Sequence, residues 1–399
     1  MSILKEQLLD ELKLSLALRL DGVYFKPEII ADLFERIPNN NIIKTKITPE
    51  LVERLNYLVP ISFAFPLGTR AATFGSYDSL YSIEKDGDEY YVSRRGELLK
   101  QLTFVDDSPA FYGKTTSDGT PMREVATDSA YGNKHKSIIF CYSEECSAKD
   151  NGETCLFCSY NRKRVKEFEL ESPPFRSVKQ IGETAAAAYS EGYSHLTITG
   201  GFIPERREVD YYLDVAESLQ QHLGVKDFNG TACIGAPLDF SVIDRYKEAG
   251  FRTVAFNTEV WGKEWFDVIC PAKVSACGGY DNWIRAIEHA VRVFGEGKVR
   301  SNFVVGLQPK ERLLEGIEYL ASIGVVTLPS PWYPSYGSPL ESHRTPTLEW
   351  HWDIQLKTYN ILRKYRRTFD EIFDGAPTRL YTHELFEIED ETLPCFEGK

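Results

Sequence analysis

From Lys136 onward, short apolar runs alternate with amphipathic stretches at spacings of about 40 residues or fewer, the pattern of parallel strands joined by crossover helices. Strands are predicted at Ser137–Ser143, His195–Thr199, Gly230–Ile234, Arg252–Asn257, Val299–Val305 and Val325–Ser330. Helices fit between them at Val178–Glu191, Val209–Leu223, Phe240–Ala249, Asp281–Phe294 and Lys310–Ile323. Gly192, Gly224, Gly250, Gly295 and Gly324 each fall just past a helix end, where a left-handed cap is wanted. Six strands are too few for a complete eight-unit barrel. An α/β partial barrel, (β/α)6 in form, or a doubly wound sheet remains.

What precedes this alternation has a different texture. Residues 1–130 predict an N-terminal α+β domain with helices near Leu4–Leu20, Pro27–Ile37 and Pro49–Leu58, then polar-aromatic strands turned by Asp86-Gly87. The turn-rich run Pro109 to Met122 connects it to the barrel region, 136–345. Residues 346–399 predict a C-terminal helix after Thr347 and an acidic tail. The chain has 399 residues, 42% hydrophobic, enough for a full-sized core. Its 46 basic and 59 acidic residues give a net charge of −13, which argues against nucleic-acid partners and anionic membrane surfaces. The first residues, MSILKEQLLDELKLSLALRL, mix both charge signs and read as an amphipathic helix, not a signal peptide. Eight cysteines in so long a chain do not make a disulfide scaffold, so a cytoplasmic protein with metal-ligating thiols is expected.

Three of those cysteines, Cys146, Cys155 and Cys158, lie in CSAKDNGETCLFC directly after the first predicted strand. Three thiolates on one loop suit three irons of a [4Fe–4S] cube and leave the fourth iron open. A zinc or closed iron–sulfur site needs a fourth ligand close by. Cys141 is the nearest candidate, although strand alternation leaves its direction undecided.

In parallel α/β folds the carboxyl ends of the strands form the ligand face, and the other notable groups fall there. Gly200-Gly201 ends the second strand and exposes backbone to a ligand. Asn257 and Glu259 end the fourth, sharing a face as i and i+2, where a carboxylate suits ribose hydroxyls. Gly306 ends the fifth and admits a flat ring. Singly, each has an ordinary explanation: a turn, or a solvated rim. Their order along successive strand ends is harder to obtain by accident.

Taken together, residues 136–345 resemble the radical SAM superfamily, with Phe157 just before the last cysteine, a GGE-like turn at Gly200-Gly201 and the pair Asn257 and Glu259. The run from Pro334 to Leu340 is most similar to the biotin-synthase and lipoyl-synthase branch. The resemblance implies a [4Fe–4S] cluster on Cys146, Cys155 and Cys158, and S-adenosyl-L-methionine beside Phe157, Gly200, Gly201, Asn257, Glu259 and Gly306. It also implies reductive cleavage to a 5′-deoxyadenosyl radical, and an external reductant such as flavodoxin or ferredoxin. Three departures stand out. The spacing is C-x8-C-x2-C in place of C-x3-C-x2-C, Phe202 replaces the expected Glu, and Pro309 replaces an acidic residue.

Within that frame Arg300 and Asn302 share a strand face with Gly306, and are expected to line the interior as substrate contacts. Arg300 needs an anionic partner, either a substrate carboxylate or a structural Asp or Glu. Cys233, Cys270, Cys277 and Cys395 are expected as small buried residues, with an auxiliary cluster the sharper alternative. The aromatic loop Ser330 to Pro339 either closes over substrate or packs on the C-terminal helix. The favoured reading is a radical SAM enzyme acting on a small organic substrate. The alternatives are a peptide-modifying enzyme with an N-terminal leader-binding unit, and a barrel protein whose metal loop is only structural.

Overall fold

A computed structural model describes residues 2–36, 61–104, 109–128, 136–143, 146–158, 175–203, 205–334, 338–378 and 380–396. Two sheets organise it. The first has six strands in the order β1-β4-β5-β6-β2-β3. These are β1 (Tyr24–Phe25), β2 (Ile61–Ala64), β3 (Arg70–Thr73), β4 (Tyr81–Asp86), β5 (Glu89–Arg94) and β6 (Glu97–Phe104). The expected hairpin is present: Asp86 pairs with Glu89 across a turn in which Gly87 takes φ 60°. Alternate residues of β4 and β5 (Tyr81, Ile83, Tyr90 and Val92) are buried with Phe25, Phe63 and the helix Pro27–Arg36. The helix expected at Pro49–Leu58 lies outside the described residues.

The second sheet carries the candidate site. Its order is β13-β12-β11-β10-β9-β8-β7, simple succession from one edge to the other. The strands are β7 (Thr127–Asp128), β8 (Ser137–Cys141), β9 (His195–Thr199), β10 (Gly230–Cys233), β11 (Thr253–Ala255), β12 (Val299–Val305) and β13 (Val326–Pro331). β8 to β13 are all parallel, and only β7 runs antiparallel, against β8. Six parallel strands in chain order with a helix after each is the open, partial (β/α)6 barrel, and the doubly wound alternative is excluded because strand order never reverses.

Sequence explains most boundaries. Ser177 and Gln180 form a reciprocal capping box at the head of Val178–Tyr189. Gly192, Gly224, Gly250, Gly295 and Gly324 all have positive φ, between 68° and 102°. β12 alternates between buried and half-buried residues along its whole length, so Arg300, Asn302 and Val304 share one face. β11 is shorter than the predicted Arg252–Asn257. Past Ala255 the chain leaves the ladder, and the Thr258 amide donates to the Ser301 hydroxyl at 3.0 Å.

Two regions depart from expectation. Between β11 and the helix Gly279–Phe294 stand two short helices, Lys263–Ile269 and Pro271–Ala276, the second opened by a proline at its first position. Near the C-terminus, part of the expected acidic tail is helical, Tyr381–Glu389. Its charges mask an apolar face: Leu385 and Ile388 pack on Leu8 and Leu12 of the first helix, Ile3–Asp21.

Candidate active site

The cysteine loop is built from local turns and three backbone ties. The eight residues between Cys146 and Cys155 include a turn of helix, Ser147–Asp150, which accounts for the long spacing. The Ser147 amide donates to the Phe202 carbonyl at 2.9 Å, fastening the loop to the segment after Gly200-Gly201. The Leu156 amide donates to the Ile269 carbonyl at 3.0 Å, and the Leu340 amide donates to the Leu156 carbonyl at 3.2 Å. Cys141 stands apart, its thiol donating to the Ser143 carbonyl at 3.3 Å.

A cavity of about 210 Å³ opens at the carboxyl ends of the parallel strands. Cys146, Cys155 and Cys158 line it, with Phe157 between the last two. Gly200 and Gly201 also line it, as do Asn257 and Glu259. Three separated stretches of sequence therefore meet around one space. Gly200 also has a packing reason to be glycine, because a Cβ there would stand 2.7 Å from the Tyr142 ring. Gly306 lies outside the cavity. Its φ is 121°, and a Cβ would meet Pro346 at 2.9 Å, so the chain's own close approach there already calls for glycine.

The Asn257–Glu259 side is a bonded network. Glu259 is a non-glycine residue at φ 67°, a conformation that costs energy and often marks a functional position. Its Oε1 pairs with Lys273 Nζ at 2.8 Å, and its Oε2 accepts from Asn302 Nδ2 at 3.3 Å. Lys273 also donates to the Asn257 carbonyl at 2.5 Å and lies 4.6 Å from the centre of the Trp283 ring. Burial disfavours the charge on Lys273, but Glu259 and the neighbouring thiols of Cys270 and Cys155 outweigh it and raise its pKa above the ordinary lysine range. Asn257 Oδ1 accepts from the Asn302 backbone amide at 3.2 Å. Asn302 thus braces the Asn257–Glu259 pair. Its own Oδ1 accepts from the Ser330 hydroxyl.

Arg300 bonds neither Asp nor Glu among the described residues. Its guanidinium bonds the Cys233 thiol, and burial lowers its pKa. Arg300 does not line the cavity, whereas Cys233 does, held also by Asn257 Nδ2 at 3.5 Å.

Sequence reading missed Lys273 and Glu208. Lys273 rides on the short helix Pro271–Ala276, which no periodicity announced. Glu208 is a buried carboxylate from the helix Glu205–Leu223, accepting from the Gly235 amide at 3.3 Å. Nothing in the helical pattern sets it apart from its charged neighbours.

The remaining cysteines divide. Cys270 is fully buried, which pushes its thiol well up, while its neighbourhood lowers the pKa of Cys155. Cys277 lines the cavity. Cys395 packs by the first helix, in a different core. In the aromatic loop Trp332 is buried, and Tyr333 stacks on Phe74 at 4.9 Å with Arg19 above it, so Tyr333 meets the first sheet's side of the protein.

The three thiols of the loop are of the kind that ligate iron–sulfur clusters and all line one cavity. Among the described residues no three Cys, His, Asp or Glu side chains stand close enough together to hold a metal ion. Among the described residues no helix is long and apolar enough to cross a membrane.

Residues 151–320 match the model of the radical SAM superfamily. Bacteriochlorophyllide c C-7(1)-hydroxylase of Chlorobaculum limnaeum is 28% identical over 269 residues, 64% of this chain and 65% of that one. A 5-amino-6-(D-ribitylamino)uracil–L-tyrosine 4-hydroxyphenyl transferase of Methanosarcina barkeri is 26% identical over 145 residues, 34% of each chain. The chain thus spans less than two thirds of the length of these curated relatives. Among solved structures, methylornithine synthase aligns with a TM-score of 0.45 at 15% identity, covering 60% of this chain and 68% of that one. The superfamily's match takes in β9 to β12 and the last two loop cysteines, Cys155 and Cys158.

Proposed function

We propose that this protein is a radical SAM enzyme that holds a [4Fe–4S] cluster on Cys146, Cys155 and Cys158 and acts on a small organic substrate. The observation that carries this reading is the convergence of the cysteine loop, Gly200-Gly201 and the Asn257–Glu259 pair on one cavity at the strand ends. A cluster bound there would supply the electron that splits S-adenosylmethionine and so initiates hydrogen abstraction. The chain's own residues bind, orient and exclude water. Glu259, fixed by Lys273 and Asn302, presents a carboxylate for the two ribose hydroxyls. Phe157, Phe202 and Trp283 give the cavity apolar walls. Hydroxylation of a bacteriochlorophyllide by the 28% identical relative fits the choice of a small organic substrate over a peptide. The run Pro334 to Leu340 still favours the biotin-synthase and lipoyl-synthase neighbourhood. An external flavodoxin or ferredoxin is the proposed reductant.

The Cys155–Cys270 contact favours one other reading, a closed four-thiolate site without radical chemistry. Metal content separates the two. Anaerobically reconstituted protein is expected to carry about four irons and four sulfides per chain, with visible absorption that dithionite bleaches. Serine at Cys146, Cys155 or Cys158 should each abolish it, and serine at Cys141 should not. Stoichiometric zinc without sulfide would sink the radical reading.

A further inference from the structure

Glu208 is a buried carboxylate with no role yet in the proposed chemistry, and it lines the cavity together with Gly200 and Gly201. It stands near the amino end of the helix Glu205–Leu223, where the helix dipole favours a negative charge. Two neutral donors fix it against the strand ends. The Gly235 amide donates to Oε2 at 3.3 Å. The Tyr142 hydroxyl, 3.1 Å from the Gly201 carbonyl, also reaches Oε1 at 3.5 Å. Among the described lining residues the charged side chains are Glu208, Glu259 and Lys273. Lys273 is bonded to Glu259 at 2.8 Å, so that pair carries no net charge. Glu208 therefore gives the described lining an excess of negative charge. Phe157, Phe202, Ile234 and Trp283 supply apolar walls around it, and a low local dielectric strengthens the field of a charge.

We propose that Glu208 makes this cavity selective for a cationic ligand, favouring the sulfonium of S-adenosylmethionine over the neutral thioether of S-adenosylhomocysteine. This inference deepens the cosubstrate reading above and rests on it. The two carboxylates then have separate tasks. Glu259, balanced by Lys273, offers acceptors to ribose hydroxyls, which are neutral and gain from hydrogen bonds more than from net charge. Glu208 supplies the net charge. Both nucleosides carry the same ribose, ammonium and carboxylate, so Glu259 treats them alike. They differ in the methyl group that makes one sulfur positive, and only a net field in the cavity separates them on that charge.

The test is calorimetric titration of S-adenosylmethionine and of S-adenosylhomocysteine into anaerobically reconstituted wild type, Glu208→Gln and Glu208→Asp. Wild type should prefer the sulfonium. Glu208→Gln keeps the size of the side chain and an acceptor for Gly235 but removes the charge. It should weaken S-adenosylmethionine binding by about tenfold and S-adenosylhomocysteine binding by less than about twofold. Glu208→Asp keeps the charge and should keep most of the preference, a rescue that a purely structural role would not produce. Equal losses for the two ligands in Glu208→Gln, or a preference left unchanged there, overturn the proposal. So does a wild type that binds both nucleosides equally, a result that needs no variant to fold. In each of those cases the cosubstrate reading stands. A wild type that binds neither nucleoside defeats that reading itself, and the proposal with it.

Discussion

The two sides of the cavity are organised by different chemistry. On the Glu259 side both carboxylate oxygens have named donors, Lys273 and Asn302, and Asn302 is held in turn by Asn257 and Ser330. On the cysteine side the loop is placed by backbone bonds from Ser147 and Leu156, and the contact made by Cys155 is with another thiol. Carboxylate, amide and ammonium groups satisfy one another strongly, so their geometry is fixed by the fold. Thiols are weak hydrogen-bond partners, and their strong partner is a metal. One side is therefore preorganised by the chain through strong polar bonds, and the other is placed by backbone ties alone.

The widest separation between the walls should come from Glu259→Ala. On the proposed reading, loss of the carboxylate would remove a charge-assisted pair to the ribose, about 2–3 kcal/mol, or about 30- to 150-fold in S-adenosylmethionine affinity. Cluster content should be unchanged, because the cysteines stand on another strand end. Titration of the cosubstrate against the reduced cluster's EPR signal checks both. Equal affinity in the variant would mean that the nucleoside lies elsewhere.

The Lys273–Glu259 pair gives a second break. Side-chain exposures of 17% and 8% make it a largely buried ion pair. Lys273→Met strands the carboxylate and is expected to destabilise by about 3–5 kcal/mol. Adding Glu259→Gln to that variant should restore most of the loss, since no unpaired charge remains. Urea denaturation of the two single variants and the double variant reads the coupling. Additive costs would show that the two groups do not depend on each other.

How much of this was legible in the sequence follows from the range of the forces involved. The six strands and their helices were readable because periodicity and helix-end glycines are local signals. Asn257, Glu259, Gly200 and the three cysteines were placed on one face by strand-end topology alone. Lys273 was hidden because its six-residue helix is too short to show a period. Cys270 reaches the cysteine loop only through a contact between distant segments. Arg300 was expected to want a carboxylate, and its bond to Cys233 depends on the strand register that sets Cys233, Ala255 and Arg300 in one row across β10, β11 and β12, which no spacing encodes. Gly306 looked like a ligand position because glycine at a strand end has two meanings; only the placement of Pro346 and His351 chooses between them.

Gly200 puts those two meanings in one residue. It lines the cavity, yet a Cβ there would overlap the Tyr142 ring, whose hydroxyl donates to the Gly201 carbonyl at 3.1 Å and keeps the ring from retreating. Gly200→Ala is expected to cost about 1–3 kcal/mol of stability. Tyr142→Leu should largely absorb the added methyl, so the double variant should be more stable than additivity of the two single variants allows. A stable Gly200→Ala chain that fails to bind cosubstrate would instead assign the glycine wholly to the ligand.

The smallest expected effect concerns acid, and it separates the charged wall from what supports it. Behind β12, His351 is fully buried in the helix Leu348–Lys364, with Nε2 bonded to the Thr345 hydroxyl at 2.8 Å and Nδ1 unpartnered. Burial, with a smaller contribution from Lys310, lowers its pKa to about 4. The folded state therefore resists a proton that the unfolded chain accepts near its ordinary value of about 6.5. The stability linked to neutral His351 is fully present above that value and is lost as pH falls toward about 4. By pH 5 the loss should be on the order of 1–2 kcal/mol. The raised pKa of Lys273 keeps its charge across the same range, so Lys273 itself should not add to this slope. His351→Gln keeps a hydrogen-bonding side chain without the titration, and its denaturation midpoint should change less between pH 7 and pH 5 than that of the wild type. If the two proteins lose stability in parallel, the acid sensitivity belongs to another group, of which His195, buried with a pKa lowered to about 3, is the next to replace.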